Sequence, residues 1–478
     1  MIDKQLKFFF FNRINNNLSK QNHFFLNNSF KYIDLLKYLN SLEFILSKEK
    51  NKELVILCDR SLHTYVSHVY AFLSEKIWIP LSANLKETEI SEILEQLENP
   101  MILINGKNNF QSVRKRFKCI DINDLDFENY KLKSTDFSKS QDRVAAIFFT
   151  SGSTGKPKGV KLSLTNIIIN LINMEKIIKA KPTDIFVDFH EVSFVISIPI
   201  LIFCLYSGSS LLVGKNTDLL NLKRLYKKYK FTILITVPTL LKVIDFSKYT
   251  PSMKLETLIT CGEPITKKLI NSLIKKHHLK NFFNFYGSTE VGPWILYADL
   301  KECLEKNIFQ DDYAPAGKKL DFIDLNISKN SNTLIATGPQ VSSGYLKVKS
   351  SKFKKVGNYF SYDSGDVFEK DADYYFCKGR VDHEFKRNGE RMSILNLEYT
   401  YKKILKIENL YVVFIKPENK LFMVTEKKIK NNLQDKLFQQ LSRNKKPDQI
   451  ISLNSIDKTS TGKISRKRLE EICKNYLL

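Results

Sequence analysis

Short apolar runs separated by amphipathic stretches set the pattern of the first three hundred residues. Leu54-Val55-Ile56-Leu57-Cys58 is apolar without alternation, the pattern of a strand buried on both faces. Ile77-Trp78-Ile79-Pro80-Leu81 and Met101-Ile102-Leu103-Ile104 repeat it, with helical spacing over 62–73 and 88–97 between them. Residues 1–50 carry amphipathic helical patterning, clearest from Tyr32 to Leu46. This alternation predicts an α/β architecture with a mostly parallel sheet. A further run, Val144 to Phe149, follows a polar stretch over 121–142 that reads as a loop. A helix is expected over Leu164 to Ile178, its start able to aim a dipole at an anion. Strands follow at 211–213, 232–235 and 258–260. Past residue 300 the elements shorten to 325–327, 334–336 and 374–376, which predicts a β-rich subdomain. The last hundred residues alternate strands (410–415, 421–425) with basic helices, enough for a small α+β domain.

Composition refines this picture only slightly. At 478 residues, 43% of them apolar and 12% aromatic, the chain is globular and exceeds one ordinary core. Its net charge of +24 suits anionic partners. The lysine excess is spread through the whole chain, however, and a general compositional bias gives the same total. No long basic tract with interleaved aromatics occurs, which sets nucleic-acid binding aside. Seven scattered cysteines without a C-x-x-C pair fit reduced thiols and argue against structural zinc. Phe194 to Tyr206 is too short to span a bilayer, and Phe8 to Phe11 is too short for a signal-peptide core. A soluble, cytoplasmic protein is expected.

The chemistry concentrates in five stretches. Phe148 to Val160 supplies hydroxyls at Thr150, Ser151, Ser153 and Thr154, glycines at Gly152, Gly155 and Gly159, and the lysines Lys156 and Lys158. Close backbone approach, hydroxyl donors and positive charge together suit a polyphosphate. The spacing is not that of a Walker loop, because Gly152 and Gly155 are too close and Pro157 follows Lys156. Asn284 to Glu290 can offer a stacking ring, hydroxyl donors and a carboxylate for a hard cation, or can be an ordinary turn with a serine or threonine cap. Tyr362-Asp363-Ser364-Gly365-Asp366 places an aspartate after a glycine turn, a common arrangement that also suits a ribose diol. Gly379-Arg380-Val381-Asp382, with 386–391 after it, reads equally as a solvated charged hairpin. Thr459 to Arg466 carries Lys463 beside a glycine, near the end of the chain.

Taken together and in this order, the five stretches resemble the adenylate-forming superfamily: acyl-CoA synthetases, nonribosomal peptide synthetase adenylation domains and luciferase. Pro238-Thr239, Cys261-Gly262-Glu263-Pro264 and Gly338 to Leu346 extend the similarity. The resemblance implies a large N-terminal domain with mostly parallel sheets and a β-rich subdomain (1–381), then a small mobile α+β C-terminal domain (382–478) that turns about Asp382. It implies ATP and Mg²⁺. Thr150, Ser151, Gly152, Ser153, Thr154, Gly155 and Lys158 would embrace the β- and γ-phosphates. Gly262, Glu263, Tyr286, Gly287 and Ser288 would line the nucleotide, with Tyr286 against adenine. Thr289 would hold the α-phosphate and Glu290 the metal, while Asp366 and Arg380 would take the ribose. Lys463 would be the catalytic lysine. The implied reaction is an AMP-forming activation of a carboxylic acid, followed by transfer to a phosphopantetheine thiol of CoA or of a separate carrier protein.

The acid itself is less legible. Relatives that activate amino acids place an aspartate where this chain has Val195, and an uncompensated ammonium in an apolar pocket is costly. An acid without an α-amino group is therefore favoured, and a stand-alone amino-acid ligase is the alternative. His190 or Glu191 stand close enough in sequence to compensate. Cys261 and Phe285 would line the acyl pocket, the bulk of Phe285 hinting at a small or flat substrate. A non-catalytic binding homologue is the reading from another class, disfavoured by the presence of Thr289, Glu290, Asp366, Arg380 and Lys463 together.

Overall fold

A computed structural model describes residues 4–106, 110–125, 142–151, 157–215, 218, 222–243, 255–276, 279–381, 384–387, 390–416, 418–426, 428–457 and 464–477. The chain divides into two compact units. One comprises 1–325, 335–363 and 372–374, the other 326–334, 364–371 and 375–478.

The first unit is built on two large sheets. In the six-stranded sheet the order is Lys118–Asp121, Pro100–Ile104, Glu53–Cys58, Ile77–Ser82, Val144–Ser151 and Pro157–Ser163. Five of these are parallel and the last returns antiparallel, pairing Thr150 with Lys158 and Ser151 with Pro157. The nine-stranded sheet centres on the parallel strands Asn281–Tyr286, Thr257–Cys261, Ile233–Thr236, Ile185–Asp188 and Ser210–Val213. Leu258, Ile259, Leu234 and Ile235 are fully buried or nearly so, which is why these strands read as unbroken apolar runs. Helix Leu164–Ile178 starts where expected because Ser163 and Asn166 cap it reciprocally: the Ser163 Oγ accepts the Asn166 N–H at 3.1 Å and the Asn166 Oδ1 accepts the Ser163 N–H at 2.7 Å.

In the second unit, Leu410–Ile415, Lys420–Thr425 and Gln449–Ser452 form a three-stranded sheet. Strand alternation splits its core in two. Leu410, Val412, Leu421 and Met423 pack against Leu397, Tyr401 and Leu405 of helix Ile394–Leu405. Val413, Ile415, Phe422 and Val424 pack against Leu469 and Cys473 of helix Arg466–Asn475. The sheet is thus covered on both faces, a small α+β arrangement.

Candidate functional site

The carboxyl ends of the parallel strands in the nine-stranded sheet deliver most of the predicted residues of the first unit. Strand Thr257–Cys261 ends in the Gly262 turn, where a φ of +77° favours glycine. The next strand, Asn281–Tyr286, ends at Gly287, and a Cβ built there would lie 2.0 Å from the Pro293 carbonyl oxygen. Glycine is therefore needed for the close approach that turns the chain into Ser288-Thr289-Glu290. Ser288 stands at the start of the 3-10 turn Thr289–Val291 but makes no side-chain cap, and its buried Oγ has no partner among the described residues. Glu290 is buried.

Tyr345 holds this turn. Its hydroxyl donates to Glu290 Oε1 at 2.9 Å, while the Ser342 N–H donates to the Glu290 carbonyl at 2.9 Å. The same 342–346 segment is laced along strand Pro157–Ser163. Lys161 N–H donates to the Gly344 carbonyl (3.1 Å), Leu346 N–H to Gly159 (2.7 Å), and the Ser342 hydroxyl to Lys161 (2.8 Å). Lys158 Nζ lies 5.6 Å from the centre of the Tyr345 ring, a cation–π contact. Tyr345 thus touches both Lys158, on the strand leaving the phosphate loop, and the carboxylate of the second motif. Tyr362 joins the cluster. Burial pushes its phenol well above the usual range, and the neighbouring Glu290 and Tyr345 push it further. Sequence reasoning noted the segments containing Tyr345 and Tyr362 without assigning these rings a role. Tyr345 follows a glycine in a loop and carries no periodic signal, and Tyr362 lies in strand Tyr359–Asp371, where an inward-facing ring reads as ordinary core.

Other predicted residues have different surroundings. Thr150 is half-buried, with its Oγ1 donating to the Lys158 carbonyl at 3.4 Å across the hairpin. Ser151 ends its strand opposite Pro157. Gly152, Ser153, Thr154, Gly155, Asp382 and Lys463 lie outside the described residues. Glu263, expected to line the nucleotide, places Oε2 on the Thr239 N–H (3.0 Å) and hydroxyl (2.5 Å), at the start of helix Pro238–Val243. Phe285 pairs in register with Cys261 and stacks on Trp294, ring centres 4.5 Å apart. Val195 is half-buried in a turn and precedes the helical segment that opens at Ile198, rather than starting it. His190, just beyond strand Ile185–Asp188, is buried, with Nδ1 3.3 Å from Asp188 Oδ1.

Within the second unit, Asp366 and Arg380 form an ion pair at 3.0 Å. Gly365 lies within strand Tyr359–Asp371 and not in the turn that the sequence suggested; its φ of +72° is a local left-handed kink in that strand, and the Asp366 N–H donates to Ser364 Oγ at 3.0 Å. Arg466, which ends the fifth motif, donates from both Nη atoms to buried Glu398, at 2.5 and 2.9 Å, and to the Val412 carbonyl at 3.1 Å. Glu398 also accepts the Val412 N–H at 2.7 Å. This pair fixes the chain just after 458–463.

Among the described residues no cluster of three or more His, Cys, Asp or Glu could hold a metal, and no helix is long and apolar enough to cross a membrane. The chain is 24% identical over 452 residues to a D-alanine–D-alanyl carrier protein ligase of Staphylococcus aureus, covering 88% of this chain and 90% of that one. Its fold is similar to that of the o-succinylbenzoate coenzyme A synthetase of Bacillus subtilis in complex with AMP (TM-score 0.82, 16% identity, 96% and 98% of the two chains). It is also similar to a four-domain nonribosomal peptide synthetase bound to AMP and glycine (TM-score 0.78, 19% identity), where it spans 96% of this chain and 36% of the larger one. Residues 25–349, well over half of the sequence, match the AMP-binding enzyme family, and the chain belongs to that family.

Proposed function

We propose that this chain is an ATP-dependent, AMP-forming ligase that converts a carboxylic acid to its acyl-adenylate and passes the acyl group to a thiol. The observation that carries the reading is Tyr345, which contacts both the lysine flanking the phosphate loop and the buried carboxylate of Glu290. A lysine and a fixed carboxylate brought into one place suit a metal–triphosphate. The fit for Mg²⁺ is chemical: Glu290 presents carboxylate oxygens and Ser288 a buried hydroxyl without a partner among the described residues, the hard donors this ion takes. Bound there by Glu290, Mg²⁺ would neutralise phosphate charge.

The chain's residues then have distinct tasks. The loop from Thr150 to Lys158 would cradle the β- and γ-phosphates, Thr289 would orient the α-phosphate, and Asp366 with Arg380 would take the ribose. Carboxylate and triphosphate repel each other, so positive charge is required where their oxygens meet, and Lys463 would supply it. An acid oxygen bonds to the α-phosphorus while the α–β bridging bond breaks, releasing pyrophosphate. A thiol sulfur then bonds to the acyl carbon, AMP leaves, and the thiol proton passes to solvent. If Asp382 is a hinge, Lys463 can be brought in for the first step and withdrawn for the second. The sequence relatives, being carrier-protein ligases, favour a carrier phosphopantetheine as acceptor, and CoA is the second candidate. An intracellular location follows from that chemistry.

The test is to supply ATP, Mg²⁺ and a panel of acids with either CoA or a phosphopantetheinylated carrier, and to follow AMP and thioester. AMP and thioester formed in equal amounts support the reading. ADP in place of AMP contradicts it.

A further inference from the structure

Asp188 and His190 lie at the carboxyl end of strand Ile185–Asp188, on the edge of the sheet from which Cys261 and the Tyr286–Glu290 turn also emerge. Two strand spacings separate it from strand Thr257–Cys261, roughly 10 Å. The Asp188 side chain is only 2% exposed. Its carboxylate accepts the His190 backbone N–H at 2.8 Å, the Tyr65 hydroxyl at 3.3 Å, and faces His190 Nδ1 at 3.3 Å. Among the described residues no lysine or arginine forms an ion pair with it. Arg60, which reaches this corner, donates instead to the carbonyls of Phe189 and Gly214.

Because a carboxylate accepts, the hydrogen of the His190 ring is drawn to Nδ1, and in the neutral imidazole Nε2 is left as a bare acceptor. That Nε2 is buried and has no partner among the described residues. A buried acceptor coupled to a carboxylate without a lysine or arginine is unfavourable alone and is relieved by a donor that carries positive charge. Position 195 offers nothing of the kind. Glu191, the other nearby acid, uses Oε1 to accept from Asn84 Nδ2 at 2.9 Å in an exposed setting.

We propose that the Asp188–His190 pair receives the ammonium group of the acid, so that the substrate is a 2-amino acid recognised here and not at Val195. This deepens the ligase reading above and rests on it. It also reverses the expectation drawn from Val195 alone. A 2-hydroxy acid shares the hydrogen-bond donor but lacks the charge, so it separates the two contributions.

Pyrophosphate exchange into ATP, measured with glycine, D-alanine, L-alanine, lactate and propionate, tests this in the wild-type chain and in His190→Leu, His190→Gln and Asp188→Asn. Thermal melting and ATP affinity are followed alongside. At least one amino acid is expected to exceed propionate in kcat/KM by roughly 100-fold or more, with lactate between them. His190→Leu and Asp188→Asn should each reduce that ratio by about tenfold or more, through the KM for the acid, with ATP affinity unchanged. His190→Gln retains an acceptor and should recover part of the ratio. Exchange with propionate that equals or exceeds exchange with every amino acid overturns the proposal even if no variant folds. So does an unchanged ratio in folded variants, or lactate matching the best amino acid. Exchange with none of these acids and none of the wider acid panel above removes the ligase reading itself, and this inference with it.

Discussion

The Tyr345 hydroxyl donates a 2.9 Å hydrogen bond to Glu290 Oε1, and the Tyr345 ring receives the Lys158 ammonium at 5.6 Å from its centre. Residues more than a hundred positions apart in sequence therefore share one ring. The backbone ladder between 342–346 and 157–163 makes this contact reproducible rather than incidental.

Tyr345→Phe should keep the ring under Lys158 and remove the hydroxyl's bond to Glu290 together with its contact with Tyr362. A hydrogen bond to a charged group contributes about 1.5–3 kcal/mol, so pyrophosphate exchange should fall roughly 10- to 100-fold. The Mg²⁺ concentration giving half-maximal exchange should rise. The melting temperature should move little, and an unchanged Mg²⁺ dependence would show that Tyr345 does not position Glu290.

Glu263 caps helix Pro238–Val243 through Thr239. Glu263→Ala should cost about 1 kcal/mol in urea unfolding, as cap losses do. ATP affinity should change less than stability. The reverse pattern would make Glu263 a direct contact of the nucleotide.

His68 makes stability depend on pH. Burial lowers its pKa from 6.5 to about 3, against a smaller opposing effect of Asp59, and its Nδ1 accepts the Trp78 Nε1–H at 2.8 Å. The unfolded chain binds this proton below about pH 6.5 and the folded chain does not until about pH 3. Its contribution is thus present above pH 6.5 and is lost progressively as pH falls from there toward 3, by up to about 1.4 kcal/mol per pH unit. Urea titrations between pH 7 and 5 should show this slope, and His68→Gln should flatten it. A slope of opposite sign, or one unaltered in the variant, would remove His68 as its source.

Arg466→Met leaves Glu398 buried without its partner, and breaking such a pair costs about 3 kcal/mol. Unfolding of the second unit should shift accordingly, measured by hydrogen exchange at Val412 and Leu469. Equal protection in both proteins would make the pair dispensable.

Much of the fold was legible before any coordinates. Helices over Tyr32–Leu46, Leu62–Leu73 and Leu164–Ile178 have the expected bounds because their apolar spacing is sustained throughout, and Ser61 and Ser163 cap the last two. The apolar run at 54–58 and its neighbours became parallel strands for the same reason. Strand His23–Phe25 was not legible: three residues hold no period, and its partner Ser210–Val213 is nearly two hundred residues away. In the candidate site, the glycines at 262 and 287 announced the bends that end their strands, whereas Gly365 proved to be a left-handed kink inside strand Tyr359–Asp371. The partners of the charged groups did not announce themselves, since the Tyr345–Glu290, Thr239–Glu263 and Asp188–His190 contacts depend on how loops and strand ends meet. Lys463 and the loop core at 152–155 stay where sequence alone put them, as expectations about chemistry.

The role of Lys463 is tested by acid-dependent exchange of labelled pyrophosphate into ATP, with ATP binding measured in parallel. The wild-type chain should exchange only when a suitable acid is present, and Lys463→Ala should suppress exchange by roughly 100-fold or more while binding ATP nearly as well. Exchange that needs no acid, or that survives in Lys463→Ala, would contradict the account.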